Sequence, residues 1–220
     1  MIIRILKILI GIFLLPVAWA VSVAFIGQLS QLQKLSSFSN YFLNGVIIYL
    51  IMHLVFYKPN YFYVLGHEVT HAISTLICGG KVSSIKVSSK GGSVSTNKSN
   101  SFISLFPYFF PIYTILFWLV YYVLSICWNM AAYRPYFLFL AGFSLALHLL
   151  MTVDSLKVKQ SDIFKTGYLF SMSIIYIINI LLVSFILSLV FQDFSFSQFF
   201  YSSLHNSGSI YYITYEHLFK

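Results

Sequence analysis

Carboxylates are the scarcest groups in this chain: 220 residues hold only five, Glu68, Asp154, Asp162, Asp193 and Glu216. Charged residues of either sign make up 8% of the sequence, while 59% are hydrophobic and 20% aromatic. An ordinary soluble domain carries roughly 25% charged residues. So few charges cannot cover a water-facing surface, which excludes a soluble globular domain and assigns most of the surface to lipid. Cysteine is nearly absent as well. Cys78 and Cys127 both stand in apolar contexts, which argues against a disulfide framework or a thiolate metal site and for two small buried side chains.

What is present in excess is positive charge, thirteen Lys and Arg for a formal net charge of +8. These residues are dispersed through short links between apolar runs, as membrane proteins mark their cytoplasmic side, rather than gathered into a nucleic-acid footprint. The expected partner is a lipid bilayer and not a nucleic acid.

The apolar runs cover residues 8–27, 41–57, 102–128, 135–153 and about 167–191, each long enough to approach or cross a hydrocarbon layer. The first contains Ala18-Trp19-Ala20, a signal-peptidase-type site, but stays apolar beyond it, so an uncleaved anchor is expected. A sixth stretch, 61–78, reads YFYVLGHEVTHAISTLIC and stops at Gly79-Gly80, good helix terminators. Segment 81–100 alternates, carries four lysines, has Gly91-Gly92 in its middle, and predicts a β-hairpin or extended loop. Residues 192–220 read as a polar-aromatic tail outside the bilayer. The fold class is thus an all-α polytopic membrane protein with about five to six transmembrane helices and a short membrane-associated hairpin. It forms one integral membrane domain over 1–220.

Charge sidedness orients it. With a cytoplasmic amino terminus, and with helix 61–78 and the hairpin returning to that side, ten basic residues lie inside and only Lys34, Arg134 and Lys220 outside. Complete crossing by 61–78 would leave eight basic residues outside. The first arrangement obeys the positive-inside tendency and predicts a multi-pass cell-membrane protein with its special helix on the cytoplasmic side.

That helix contains His67-Glu68-Val69-Thr70-His71, an HExxH pattern. Histidines four residues apart share a helix face and can reach one tetrahedral Zn2+, while Glu68 stands beside the metal as a base for its water. Random placement of these residues would give the pattern about 0.0015 times in a chain of this composition. A hydrogen-bonded polar patch is the competing explanation, but ionisable groups in a membrane helix are expensive unless paired or ligating. A catalytic zinc needs a third protein ligand. Asp154 and Asp162 share one loop on the special helix's side, His148 lies in a neighbouring run, and Asp193 and Glu216 fall beyond the last span. Position favours Asp162, whose other expected role is the N-cap of a helix starting near Ile163. For His148 and Asn179, pairing within the helix bundle is the simpler expectation.

GHEVTHAISTLICGG, the strand-like KVSSIKVSS, GGSVST, LFPYFFPIYTILF and HLLMTVDSLKVKQSDIFKTGYLFS together resemble the site-2-protease class of intramembrane metallopeptidases (M50), particularly its compact bacterial branch, over residues 60–180. The resemblance implies a metallopeptidase-like core over 59–191, preceded by a helical hairpin over 1–58 and followed by a tail over 192–220. It also implies Zn2+ held by His67, His71 and an aspartate, with Glu68 as general base and a membrane-anchored protein as substrate. The aspartate usually stands in LDG or NPDG, which this chain lacks; SDIFKTG puts Asp162 in the corresponding region. A strand edge of the hairpin would then pair with unwound substrate. The alternative is a non-enzymatic transporter or assembly factor that handles metal or protons with the same buried His and Glu.

Overall fold

The computed structural model describes residues 2–33, 36–56 and 58–220. It is 79% helical with one two-stranded sheet. In chain order the elements are α1 (Ile2–Leu29), α2 (Ser37–Ile51), α3 (Asn60–Ile77), β1 (Val82–Ser88), β2 (Gly91–Thr96), α4 (Ser101–Leu105), α5 (Ile112–Cys127), α6 (Arg134–Lys157), α7 (Ser161–Thr166), α8 (Tyr168–Val190) and α9 (Phe196–Phe219). Among the described residues, four helical segments are long and apolar enough to cross a bilayer: Ile2–Leu29, Ser37–Phe56, Ala131–Lys157 and Tyr168–Val190. A fifth candidate is the bent pair Ser101–Tyr108 and Ile112–Cys127. α3 is not in this set, because its histidines and glutamate dilute its hydropathy. Lys34, assigned above to the far side, and Tyr57, the end of the second run, lie outside the described residues.

The chain divides into two compact units, Ser36–Asp162 and Met1–Leu35 with Ile163–Lys220. In the first, α2 begins at Ser36, whose hydroxyl accepts from the Ser39 amide, and ends in a single π-helical turn, Met52–Phe56. Its tightest packing is against α6. A Cβ on Gly45 would stand 2.0 Å from the Phe139 carbonyl oxygen, and one on Gly142 would stand 2.0 Å from that of Phe42. The two backbones therefore touch where both helices lack a side chain, the small-residue crossing favoured where lipid removes the hydrophobic drive between helices. Tyr49, Ala146, Leu147 and Met151 fill the space beside this crossing.

In the second unit α1 packs with α8 and α9. Phe25 meets Phe194 and Phe199, the Tyr211 hydroxyl donates to the Phe13 carbonyl, and Gln28 Oε1 accepts the Ser195 amide at 3.0 Å. Asn179 donates to the Ile175 carbonyl one turn back at 2.8 Å.

Three sequence expectations change. The run 102–128 is not one straight helix: Pro107 and Pro111 break the helical ladder, and the segments Ser101–Tyr108 and Ile112–Cys127 meet at 74°. The 192–220 tail contains a 24-residue helix, α9, started by Ser195, whose side chain accepts from the Gln198 amide. The hairpin expected within 81–100 is present, turning at Ser89-Lys90 with Gly91-Gly92 opening β2. Neither cysteine is buried. Cys78 is half-buried at the end of α3 and Cys127 is exposed at the end of α5, because helix ends lie away from the packed crossing.

Gly142→Val should destabilise the protein by about 3 kcal/mol, since both backbones must part. Gly27→Val, where an added Cβ meets nothing within 4 Å, should be nearly neutral. Thermal denaturation of both variants in detergent checks the difference.

Candidate metal centre

α3 is shaped at both ends by backbone constraints. Pro59 precedes its first turn, and Gly79, at φ +72°, closes it by donating its amide to the Leu76 carbonyl while Gly80 donates to Thr75. Between them the helical period puts His67 and His71 on one face with ring centroids 4.9 Å apart.

The two imidazoles are held differently. His71 Nδ1 lies 2.9 Å from the Ile103 carbonyl oxygen. A carbonyl only accepts, so Nδ1 is the donor in this contact and Nε2 is the nitrogen left facing the site. That carbonyl is fixed by α4, whose first turn is capped by Asn100 accepting from the Ile103 amide at 2.8 Å. His67 packs edge-on against the Tyr108 ring, centroids 5.0 Å apart, and its Nδ1 is buried without a hydrogen-bond partner.

Asp162 comes to this pair. Its Oδ2 lies 3.3 Å from His71 Nε2, and one ligand atom from each of His67, His71 and Asp162 lies within 4.8 Å of the others. Ligands at a tetrahedral zinc with bonds of roughly 2.0–2.1 Å are about 3.4 Å apart. The His71–Asp162 separation already matches that value, and two imidazoles with one carboxylate are a donor set zinc takes. Asp162 stands in the first turn of α7 rather than capping α8; Gly167, at φ +111°, separates the two helices.

The competing residues are engaged elsewhere. Asp154 accepts from Lys58 at 2.5 Å and Lys157 at 2.7 Å, with His53 Nε2 at 3.2 Å. Glu216 accepts from Tyr212 and Lys220, both at 2.8 Å. Asp193 sits in the link between α8 and α9. His148 is buried in α6 and shares a pocket wall with His67, but is not in the ligand cluster found among the described residues.

Glu68 is 7% exposed. The hairpin covers it: a Cβ on Gly92 would stand 2.5 Å from Glu68 Cγ and 2.8 Å from Oε1. Only a glycine lets β2 lie this close.

Sequence reasoning missed Ile103, Tyr108, Gly92 and His53. The first three act through a carbonyl, a ring face and an absent side chain, none of which has a spacing signature. His53 had one faint signal, its place four residues after Tyr49. No known protein family, curated protein or solved structure matches the chain.

Asp162→Ala should weaken zinc binding by more than about 100-fold, beyond what outer-shell changes produce. Asp154→Ala should leave zinc affinity unchanged while lowering stability by about 1–2 kcal/mol, through loss of its charge-assisted hydrogen bonds. Zinc competition with a chelator and thermal melting separate the two aspartates.

Proposed function

We propose that this chain is a membrane-embedded zinc metallopeptidase of the site-2 type that cleaves membrane-anchored proteins. The observation that carries the reading is the meeting of His67 and His71, one turn apart on α3, with Asp162 from a distant part of the sequence, beside the buried carboxyl of Glu68. In this reading five to six helices lie in the cell membrane, and the amino terminus, hairpin and site face the cytoplasm. The dispersed basic residues support that orientation.

A bound zinc would supply Lewis acidity and a water acidified towards neutrality. The chain supplies the rest. His67, His71 and Asp162 hold the ion, and Ile103 fixes the tautomer of His71. Glu68 takes the proton of the attacking water and returns it to the amine nitrogen as the peptide C–N bond breaks. A transmembrane substrate must unwind before its carbonyl is accessible, because helical backbone groups are already satisfied. The two-stranded hairpin has open edges on which an extended segment can find replacement hydrogen bonds.

Purified protein should contain about one zinc per chain, and a His67→Ala, His71→Ala double variant should contain none. Retention of normal metal by that variant would remove the assigned ligands. Glu68→Gln should keep zinc and lose cleavage of a membrane-anchored peptide; persistent proteolysis would sink the base, and a wild-type protein that binds zinc but never cleaves would favour the transporter or assembly role. Gly92→Val should keep zinc yet slow cleavage roughly 100-fold, the scale expected when a catalytic group shifts by about 1 Å.

A further inference from the structure

The inner ring nitrogens of the two candidate metal histidines are treated unequally. His71 Nδ1 has the Ile103 carbonyl at 2.9 Å, whereas His67 Nδ1 is buried with no hydrogen-bond partner. A ligating histidine almost always donates its other N–H to a carboxylate, a carbonyl or a water, which fixes the ring and raises its basicity. A buried N–H left unpaired costs about 1–3 kcal/mol.

Beside His67 lies a pocket of about 20 Å³ bounded by α3, α5 and α6. Roughly 10–15 Å³ is enough for one water, provided two to four polar groups can hold it. Its polar lining is short. The Thr70 hydroxyl donates to the Gly66 carbonyl at 2.6 Å and keeps its oxygen as an acceptor, while the Tyr113 hydroxyl is used on the Phe62 carbonyl at 2.6 Å. The remaining imidazole on the wall belongs to His148, which is 7% exposed and lies in the apolar stretch of α6 between Leu145 and Met151. Tyr63 also lines it, with its hydroxyl placed beside Ser155 and Thr152; Gly66, Leu147, Phe110, Ile112 and Pro107 complete the wall and bring no side-chain polar group to the nitrogen.

Resting on the zinc reading above, we infer that His148 is a positioning residue for the metal centre, acting through one buried water that joins it to His67 Nδ1. His67 donates to the water, and the water donates to the His148 ring and to the Thr70 hydroxyl. The arrangement gives His67 what Ile103 gives His71. It also accounts for a histidine buried at a site where an aliphatic side chain would pack with less penalty.

The test uses the full chain in detergent, with zinc as the probe. His148→Phe, which removes the ring nitrogens and fills the pocket, should weaken zinc binding 10–100-fold and shift the visible absorption band of the cobalt(II)-substituted protein. His148→Gln, which keeps a hydrogen-bonding head, should recover most of the affinity and the parental band. A purely packing role predicts the reverse order, with Phe tolerated and Gln harmful. Parental affinity and an unchanged cobalt spectrum in His148→Phe would overturn the inference while leaving the metallopeptidase reading intact, as would a folded His148→Gln no better than His148→Phe. A parent protein that binds no zinc would overturn both. If His148→Phe fails to fold, the His148→Gln affinity and spectrum decide: parental values support the water bridge and a loss beyond tenfold overturns it.

Discussion

Two imidazoles and a carboxyl on one short helix need partners that an apolar chain scarcely possesses, and the layout of Ser36–Asp162 follows from meeting that need. α3 cannot satisfy His67, Glu68 and His71 by itself, because its own backbone groups are used in the helix. Each satisfaction therefore comes from a different element. The Ile103 carbonyl in α4 accepts a hydrogen bond from His71 Nδ1, the first turn of α7 brings Asp162 to its other nitrogen, and a glycine strand covers Glu68. The Tyr108 ring closes over His67.

The frame for this is the contact between α2 and α6. Where Gly45 and Gly142 let the backbones touch, the two helices become one support, and Tyr49 packs against it. At the end of α6, Asp154 gathers His53 from the π-helical turn that ends α2 and Lys58 from the link into α3. One carboxylate thus ties the end of one helix and the approach to the next to a third. With only five acids in the chain, using one as a clasp and another as a ligand leaves little redundancy, which is why the two neighbouring aspartates have separate duties.

Much of this was legible in the sequence, and the reasons are periodic. Helix α3 and the pairing of His67 with His71 follow from a spacing of four, the hairpin from alternation, and the long helices from uninterrupted apolar runs. The scarcity of carboxylates cut the third-ligand candidates to Asp154, Asp162 and His148, and position together with the family resemblance of SDIFKTG favoured Asp162. Non-periodic features were not legible. The 74° bend follows two prolines inside a run that hydropathy alone reads as continuous. α9 is rich in serine and short of strong apolar character, so composition marks it as a tail although its Ser195 cap and its packing on α1 make it a helix. The hairpin turn falls on Ser89-Lys90 because register, not glycine content, sets where the chain reverses.

The contact between β2 and Glu68 is made by main chain at Gly92. Val87 pairs with Gly92 and Ile85 with Val94, and directly opposed residues share a sheet face. Ile85, Val87 and Val94 therefore lie on the face turned towards α3, and Ser84, Lys86, Ser93 and Ser95 on the other, where all four are exposed. The same small sheet thus has an inner surface that is intolerant of added bulk and an outer one whose side chains never approach the carboxyl. The chemistry and the outward surface of this element can vary independently, so that substitutions outside would alter what the hairpin meets without moving the base beneath it.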